Sequence, residues 1–329
     1  MRLRPLPSGL PLARGLGVRL LLVLAALGVA LVGISSTSAS RPLYDANVKL
    51  LSLKVNGKGE ALVSYRRSDG RVRHVLVWGA LNARPPAEGV AQVQFKFDYA
   101  GGWGKYRNGK YWKAFKNRCR PYDGPNLPLY VAGCKAPDGT FWTIQSWQRR
   151  LPNLGFEPWL PYQTNVELHL AHWSGELPLL EVYPNWTYGG EWQGIFGRLT
   201  YLGVPVHGFS ATDRGVPKDF YGRNLHIDTL NSAYGAGWKR ESGILLHKGT
   251  GTFCHSFVPQ KPFSWYPSRD TRPAAPGERY RVTVSGPGVT PVLQVEVPGL
   301  TNADRLRDAE FNAAFDRVMA GDKICASER

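Results

Sequence analysis

The chain has 329 residues, with 41 Lys and Arg against 25 Asp and Glu for a formal charge of +16, and four cysteines. That length allows one large folded unit or two small ones, and the positive balance favours anionic partners such as acidic polysaccharide, envelope polymer or lipid headgroups. The basic residues are scattered, with Lys105–Arg120 the densest stretch, so no specific nucleic-acid partner is expected.

Arg2, Arg4, Arg14 and Arg19 precede an apolar run from Leu20 to Ile34, and a small polar tract, Ser35 to Ser40, follows it. This is the layout of a secretory signal peptide. The run has 15 residues, whereas a membrane-spanning helix needs about 20. Cleavage is expected after Ala39, so that 1–39 is the signal peptide and 40–329 the secreted region, at a charge of about +12 once four arginines leave. No Cys precedes Cys119, which removes a lipoprotein anchor, and the leader has no Arg-Arg pair, which argues against twin-arginine export. The expected destination is extracellular or cell-surface, with no membrane span after cleavage; an uncleaved N-terminal membrane anchor is the alternative.

Along the mature region, Asn56-Gly57, Asp69-Gly70 and Asp138-Gly139 sit between apolar stretches and signal hairpins. Val72, His74, Leu76 and Trp78 read as one side of an alternating, half-buried strand. Val93, Phe95, Phe97 and Tyr99 alternate with Gln92, Gln94, Lys96 and Asp98, a strand with one wet face. Tyr111, Phe115 and Cys119 recur at helical spacing, which predicts a short helix near 108–118 ending at Pro121. Val166, Leu168, Leu170 and His172 alternate again. Tyr280, Val282 and Val284 do so before Gly286-Pro287-Gly288 and a partner strand, Val292 to Val297. A second helix is predicted near 302–320, capped by Thr301 or Asn302, striped by Phe311, Ala314, Phe315 and Val318, and stopped by Gly321. With 37 Gly and 25 Pro as punctuation, the fold class is mainly β, a β-sandwich-like two-layer antiparallel arrangement with these two helices. Residues 40–329 read as a single region. The Pro-rich stretch 259–278 is the alternative boundary, although its Phe263, Trp265 and Tyr266 suit an ordered loop better than a free linker.

Four cysteines allow three pairings, and sequence alone does not choose among them. Cys119 and Cys134 are close in the chain on either side of a Pro/Gly-rich loop, which favours Cys119–Cys134 and leaves Cys254–Cys325. No C-x-x-C or C-x-x-H spacing occurs, which argues against zinc.

Motifs for the commoner chemistries are missing: no G-x-S-x-G, no H-E-x-x-H, no P-loop and no EF-hand ladder. No cofactor or metal is expected. The segment from Trp142 to Phe196 is dense in Trp and Tyr, side chains that pack cores and also stack on sugar rings. Within it Trp186, Tyr188, Glu191 and Trp192 surround Gly189-Gly190, and Trp103 lies in a similar Gly-rich stretch; these five are the candidate ligand-binding residues. Glu181 and Glu191 are the candidate carboxylates if the protein is a glycoside hydrolase. His169 and His172 on a strand point to opposite faces, whereas His226 and Asp228 share one and form a candidate polar pair. The favoured function is a secreted, non-catalytic protein that binds polysaccharide or another anionic cell-envelope polymer. The alternatives are a carbohydrate-active hydrolase using Glu carboxylates, and a structural or interaction protein with no small ligand.

Overall fold

Alternation and Asx-Gly turns become antiparallel hairpins. The computed structural model describes residues 40–81, 93–99, 110–148, 164–188, 192–205, 209–211, 217–219, 224–232, 235–241, 244–247, 251–257, 277–285, 291–300, 308–319 and 325, all within the compact unit Thr37–Arg329. The leader, most of the Pro-rich stretch, the Thr301/Asn302 cap and Gly321 lie outside the described residues.

The first nine strands are β1 (Ser40–Ala46), β2 (Lys49–Val55), β3 (Ala61–Arg66), β4 (Val72–Gly79), β5 (Phe95–Tyr99), β6 (Arg120–Pro121), β7 (Tyr130–Lys135), β8 (Phe141–Trp147) and β9 (Glu167–Trp173). They form two sheets, ordered β1-β9-β8-β7-β6 and β2-β3-β4-β5. Ala61, Val63, Val75 and Val77 of one sheet meet Trp142, Ile144, Leu168 and Leu170 of the other in a common core. Asp45 links the layers at one end: it pairs with Arg67 at 3.3 Å and Arg73 at 2.9 Å and accepts from the Tyr65 hydroxyl at 2.6 Å.

Three of the hairpins show how local chemistry sets the turn. At Asp69-Gly70 the Gly70 N–H donates to Arg67 O at 3.0 Å, and Gly70 takes the left-handed conformation with φ +81°. Asp138-Gly139 repeats this, with Gly139 at φ +86°. A turn followed by a left-handed glycine is the usual three-residue hairpin loop. Around Asn56-Gly57 the left-handed position falls on Gly59, at φ +72°, so Gly57 is not the residue that the turn needs to be glycine.

The second group comprises β10 (Leu179–Tyr188), β11 (Trp192–Tyr201), β12 (Val204–Pro205), β13 (Phe209–Ala211), β14 (Pro217–Asp219), β15 (Asn224–Ser232), β16 (Gly235–Arg240), β17 (Ile244–His247), β18 (Thr252–Ser256), β19 (Arg279–Ser285) and β20 (Leu293–Pro298). One sheet runs β10-β11-β18-β17, with β12 on β11; the other runs β13-β14-β15-β19-β20, with β16 on β15. Their core includes Leu180, Ile195, Leu199, Ile227 and Phe253, joined by the expected Tyr280, Val282 and Val284. The other face of the β10/β11/β18 sheet is covered by the helix Ala309–Met319. Its stripe of Phe311, Ala314, Phe315 and Val318 is buried as predicted. Asp308 caps it, its carboxylate accepting from Phe311 N–H at 2.9 Å, and the Cys254–Cys325 disulfide pins the segment beyond it to β18.

The fold is therefore mainly β, and the two-layer arrangement occurs twice, the cores changing over between Trp173 and Leu179. Gln145 of β8 joins the halves. Its amide donates to Val292 O at 2.9 Å and Pro128 O at 2.8 Å and accepts from Val292 N–H at 2.8 Å. Gln145 and Val292 are both fully buried. Among the described residues no helix is long and apolar enough to cross a membrane.

Candidate anion-binding cleft

The aromatic candidates divide. Trp103 and Glu191 lie outside the described residues. Tyr188 and Trp192 are cross-strand partners at the turn end of the β10–β11 hairpin. Trp186 is not on a loop; it is fully buried between β10 and the C-terminal helix, its Nε1 donating to Cys325 O at 3.2 Å. A register shift between Tyr183 and Trp186, with Asn185 at φ +67°, changes the strand's parity there. Trp142, Trp147 and Trp173 are buried as well. Glu181 faces Arg317 at 3.6 Å, and its supposed catalytic companion, Glu191, is outside the described residues.

His169 and His172 go to opposite faces of β9. His172 stacks on Trp142 at 3.9 Å, with Nδ1 donating to Gly79 O at 2.8 Å and Nε2 accepting from the Thr140 hydroxyl at 2.9 Å. Burial holds its pKa below the ordinary imidazole value. His169 instead packs against Trp147, at 5.3 Å.

His226 and Asp228 do share a face of β15, but Arg240 bridges them. Asp228 is the direct cross-strand neighbour of Arg240 on β16 and of Arg281 on β19. Arg240 Nε donates to Asp228 at 2.7 Å, and Arg281 Nε donates to it at 2.9 Å. Arg240 Nη1 also donates to His226 Nδ1 at 2.8 Å. Arginine can only donate, so Nδ1 is the acceptor and the ring proton sits on Nε2. Trp147 packs on His226 at 5.2 Å and Trp238 on Arg281 at 4.1 Å, which seals the group at the joint between the halves. A histidine whose Nδ1 is held by a permanent cation is not oriented by the aspartate as a general base. The cluster is bonded within the second half, and Trp147 of the first half packs on it.

The open site lies elsewhere, on the outer face of the β2–β5 sheet. The predicted helix there is only one turn, Tyr111–Ala114; Phe115 is extended and residues 115–119 carry no regular secondary structure. The reason is tertiary. Val55, at the end of β2, has an edge to satisfy: Arg118 N–H donates to Val55 O at 2.6 Å, and Asn117 Oδ1 accepts from Val55 N–H at 3.1 Å. The Cys119–Cys134 disulfide then ties the segment to β7. Helical spacing of Tyr111, Phe115 and Cys119 loses to these two constraints. Trp112 stacks on His74 at 4.2 Å and Tyr111 hydroxyl donates to His74 O at 3.3 Å, covering the face of β4 opposite Val75 and Val77. Leu76, expected on the core side of β4, and Asp98, expected on a wet face, are both buried on the outer side of the sheet, while Val75 and Val77 take the core side. Burial, with Lys54 nearby, lowers the His74 pKa, so the stacked ring is neutral at neutral pH.

Between this segment and the turn after β2 is a cleft of about 410 Å³, lined by Asn56, Lys58, Glu60, Leu76, Tyr111, Ala114, Phe115, Lys116 and Arg118 among others. Its apolar floor and rings adjoin three cations. Among the described residues Glu60 is the one carboxylate of the lining, and Asn56 Nδ2 donates to it at 2.7 Å. The described residues of this cleft therefore do not include the carboxylate pair of glycoside hydrolysis. Lys105–Arg120, the densest basic stretch of the sequence, is the one local signal for this cleft; Lys58, Tyr111, Phe115, Lys116 and Arg118 are not among the candidate site residues that motif and spacing single out. No family model, curated protein or solved structure matches this chain.

Proposed function

We propose that this is a secreted, non-catalytic protein that binds an anionic cell-envelope polymer, an acidic polysaccharide foremost, in the cleft between the Asn56–Glu60 turn and residues 111–118. The observation that carries the proposal is the convergence of Lys58, Lys116 and Arg118 on an open cleft floored by Leu76, Tyr111 and Phe115. Cations clustered over a surface attract a polyanion over several ångströms, and aromatic faces add contact with the apolar side of a sugar ring. Export fits the leader pattern and two disulfides, which persist in oxidising compartments.

The test is affinity for polygalacturonate, inorganic polyphosphate and uncharged dextran, with the wild type and a Lys58→Gln/Lys116→Gln/Arg118→Gln variant. Polyanions bind and dextran does not, and the triple variant loses about ten- to a hundredfold in affinity, since exposed charge contacts contribute up to about 1 kcal/mol each. Equal binding by the variant, or no preference for charged polymers, overturns the proposal. N-terminal sequencing of the exported chain tests the leader, with Ser40 as the expected first residue.

A further inference from the structure

We infer that Asn117 and the Cys119–Cys134 disulfide are the positioning elements of this cleft, setting the separation between Lys58 on one wall and Lys116 and Arg118 on the other. The inference rests on the binding function proposed above. Both walls start from one residue, Val55. The first wall is the turn that begins at Asn56, the next residue in the chain, and is held in shape by Asn56 Oδ1, which accepts from Lys58 N–H at 2.9 Å and Glu60 N–H at 3.1 Å. The second wall is bonded to Val55 from outside, through Asn117 Oδ1 and Arg118 N–H.

Asn117 stands between the two cations of its wall. Its side-chain oxygen accepts from Cys119 N–H at 3.1 Å as well as from Val55 N–H. One oxygen therefore joins the wall to β2 and also bends the backbone that carries Arg118. Cys119 then bonds covalently to Cys134, with the Cα atoms 5.6 Å apart, and Arg120 pairs with Lys135 on the same strand. That strand, β7, belongs to the opposite sheet of the sandwich. Residues 115–118 are mostly exposed and carry no regular secondary structure, so these ties, and not packing, hold the cations in place. Neither Asn117 nor the cystine contributes charge to the ligand. Each acts through the cations it places.

The test compares wild type with Asn117→Ala, Cys119→Ser/Cys134→Ser and the control Cys254→Ser/Cys325→Ser, using polygalacturonate and polyphosphate as probes. None of these changes alters formal charge. Asn117→Ala and the Cys119/Cys134 variant are expected to bind about tenfold more weakly. The slope of log affinity against log salt becomes shallower, as in Lys58→Gln, because the two walls no longer act on one stretch of polymer. The control stays within about twofold of wild type. A loss of global stability alone would leave that slope unchanged in the folded fraction. If the Cys119/Cys134 variant does not fold, Asn117→Ala decides alone. Asn117→Ala binding within about twofold of wild type, with an unchanged slope, overturns the inference while leaving the binding function standing. A wild type that binds neither polyanion overturns both.

Discussion

Replacing Gln145 by Met tests whether the two sandwiches are joined as described. Methionine keeps the length and flexibility of the side chain but can neither donate to nor accept from Val292. In the wild type both backbone groups of Val292 bond to this one amide, and neither residue has any contact with solvent. Leaving a buried donor or acceptor unsatisfied costs about 1–3 kcal/mol each, so two such groups cost about 2–6 kcal/mol. Pro128 O is only half-buried and can turn to water, and the buried thioether offsets about 1 kcal/mol of the loss. The net expectation is a destabilisation of about 3 kcal/mol, large for a single near-isosteric substitution. Urea unfolding, followed by both far-UV circular dichroism and Trp fluorescence, reads it out. With a slope of about 3 kcal/mol/M the midpoint falls by about 1 M, and the two probes separate as the halves lose their coupling. A loss below about 1 kcal/mol, with coincident transitions, would refute the claim that this amide joins the halves.

Two further outcomes test the interior. Asp228→Asn leaves Arg240 and Arg281 facing each other with no carboxylate between them, and should cost about 3–5 kcal/mol of unfolding free energy; a cost below about 1 kcal/mol would show that the arginines are paired or hydrated by other means. Acid sensitivity should trace in part to His172. Its pKa is lowered by burial, so the unfolded chain takes up the proton first as pH falls below about 6.5, and the stability present above that value is lost toward lower pH. His74 acts in the same direction. Unfolding free energy measured at pH 7.5 and 5.5 should fall for wild type and fall less for His172→Gln; parallel losses would exclude His172.

Where a prediction succeeded, its cause was local. The Asp69-Gly70 and Asp138-Gly139 turns follow from the conformational freedom of one glycine. The stripe of the C-terminal helix follows from its 3.6-residue period. The pairing Cys119–Cys134, and with it Cys254–Cys325, was favoured by proximity in the chain. Where a prediction failed, a segment distant in sequence had intervened. Val55 and Cys134 drew residues 115–119 out of a helix. A one-residue shift near Asn185 sent Trp186 inward, and Arg240, twelve residues beyond Asp228, took up the link that the His226–Asp228 spacing suggested. The cleft was missed for the same reason: Lys58 is more than fifty positions from Lys116 and Arg118, and no period or motif connects them.

The sequence by itself determined that this is a mainly β, strongly basic chain with an export-like leader pattern, because strand period, glycine turns and net charge depend on each residue and its near neighbours. Only the tertiary structure decided which face of each strand is covered, which tryptophans are core and where the cations converge. Those outcomes depend on which distant backbone groups must find hydrogen-bond partners once buried. Val55, at the edge of β2, is such a case, and the wall of the cleft exists because Asn117 and Arg118 supply its partners.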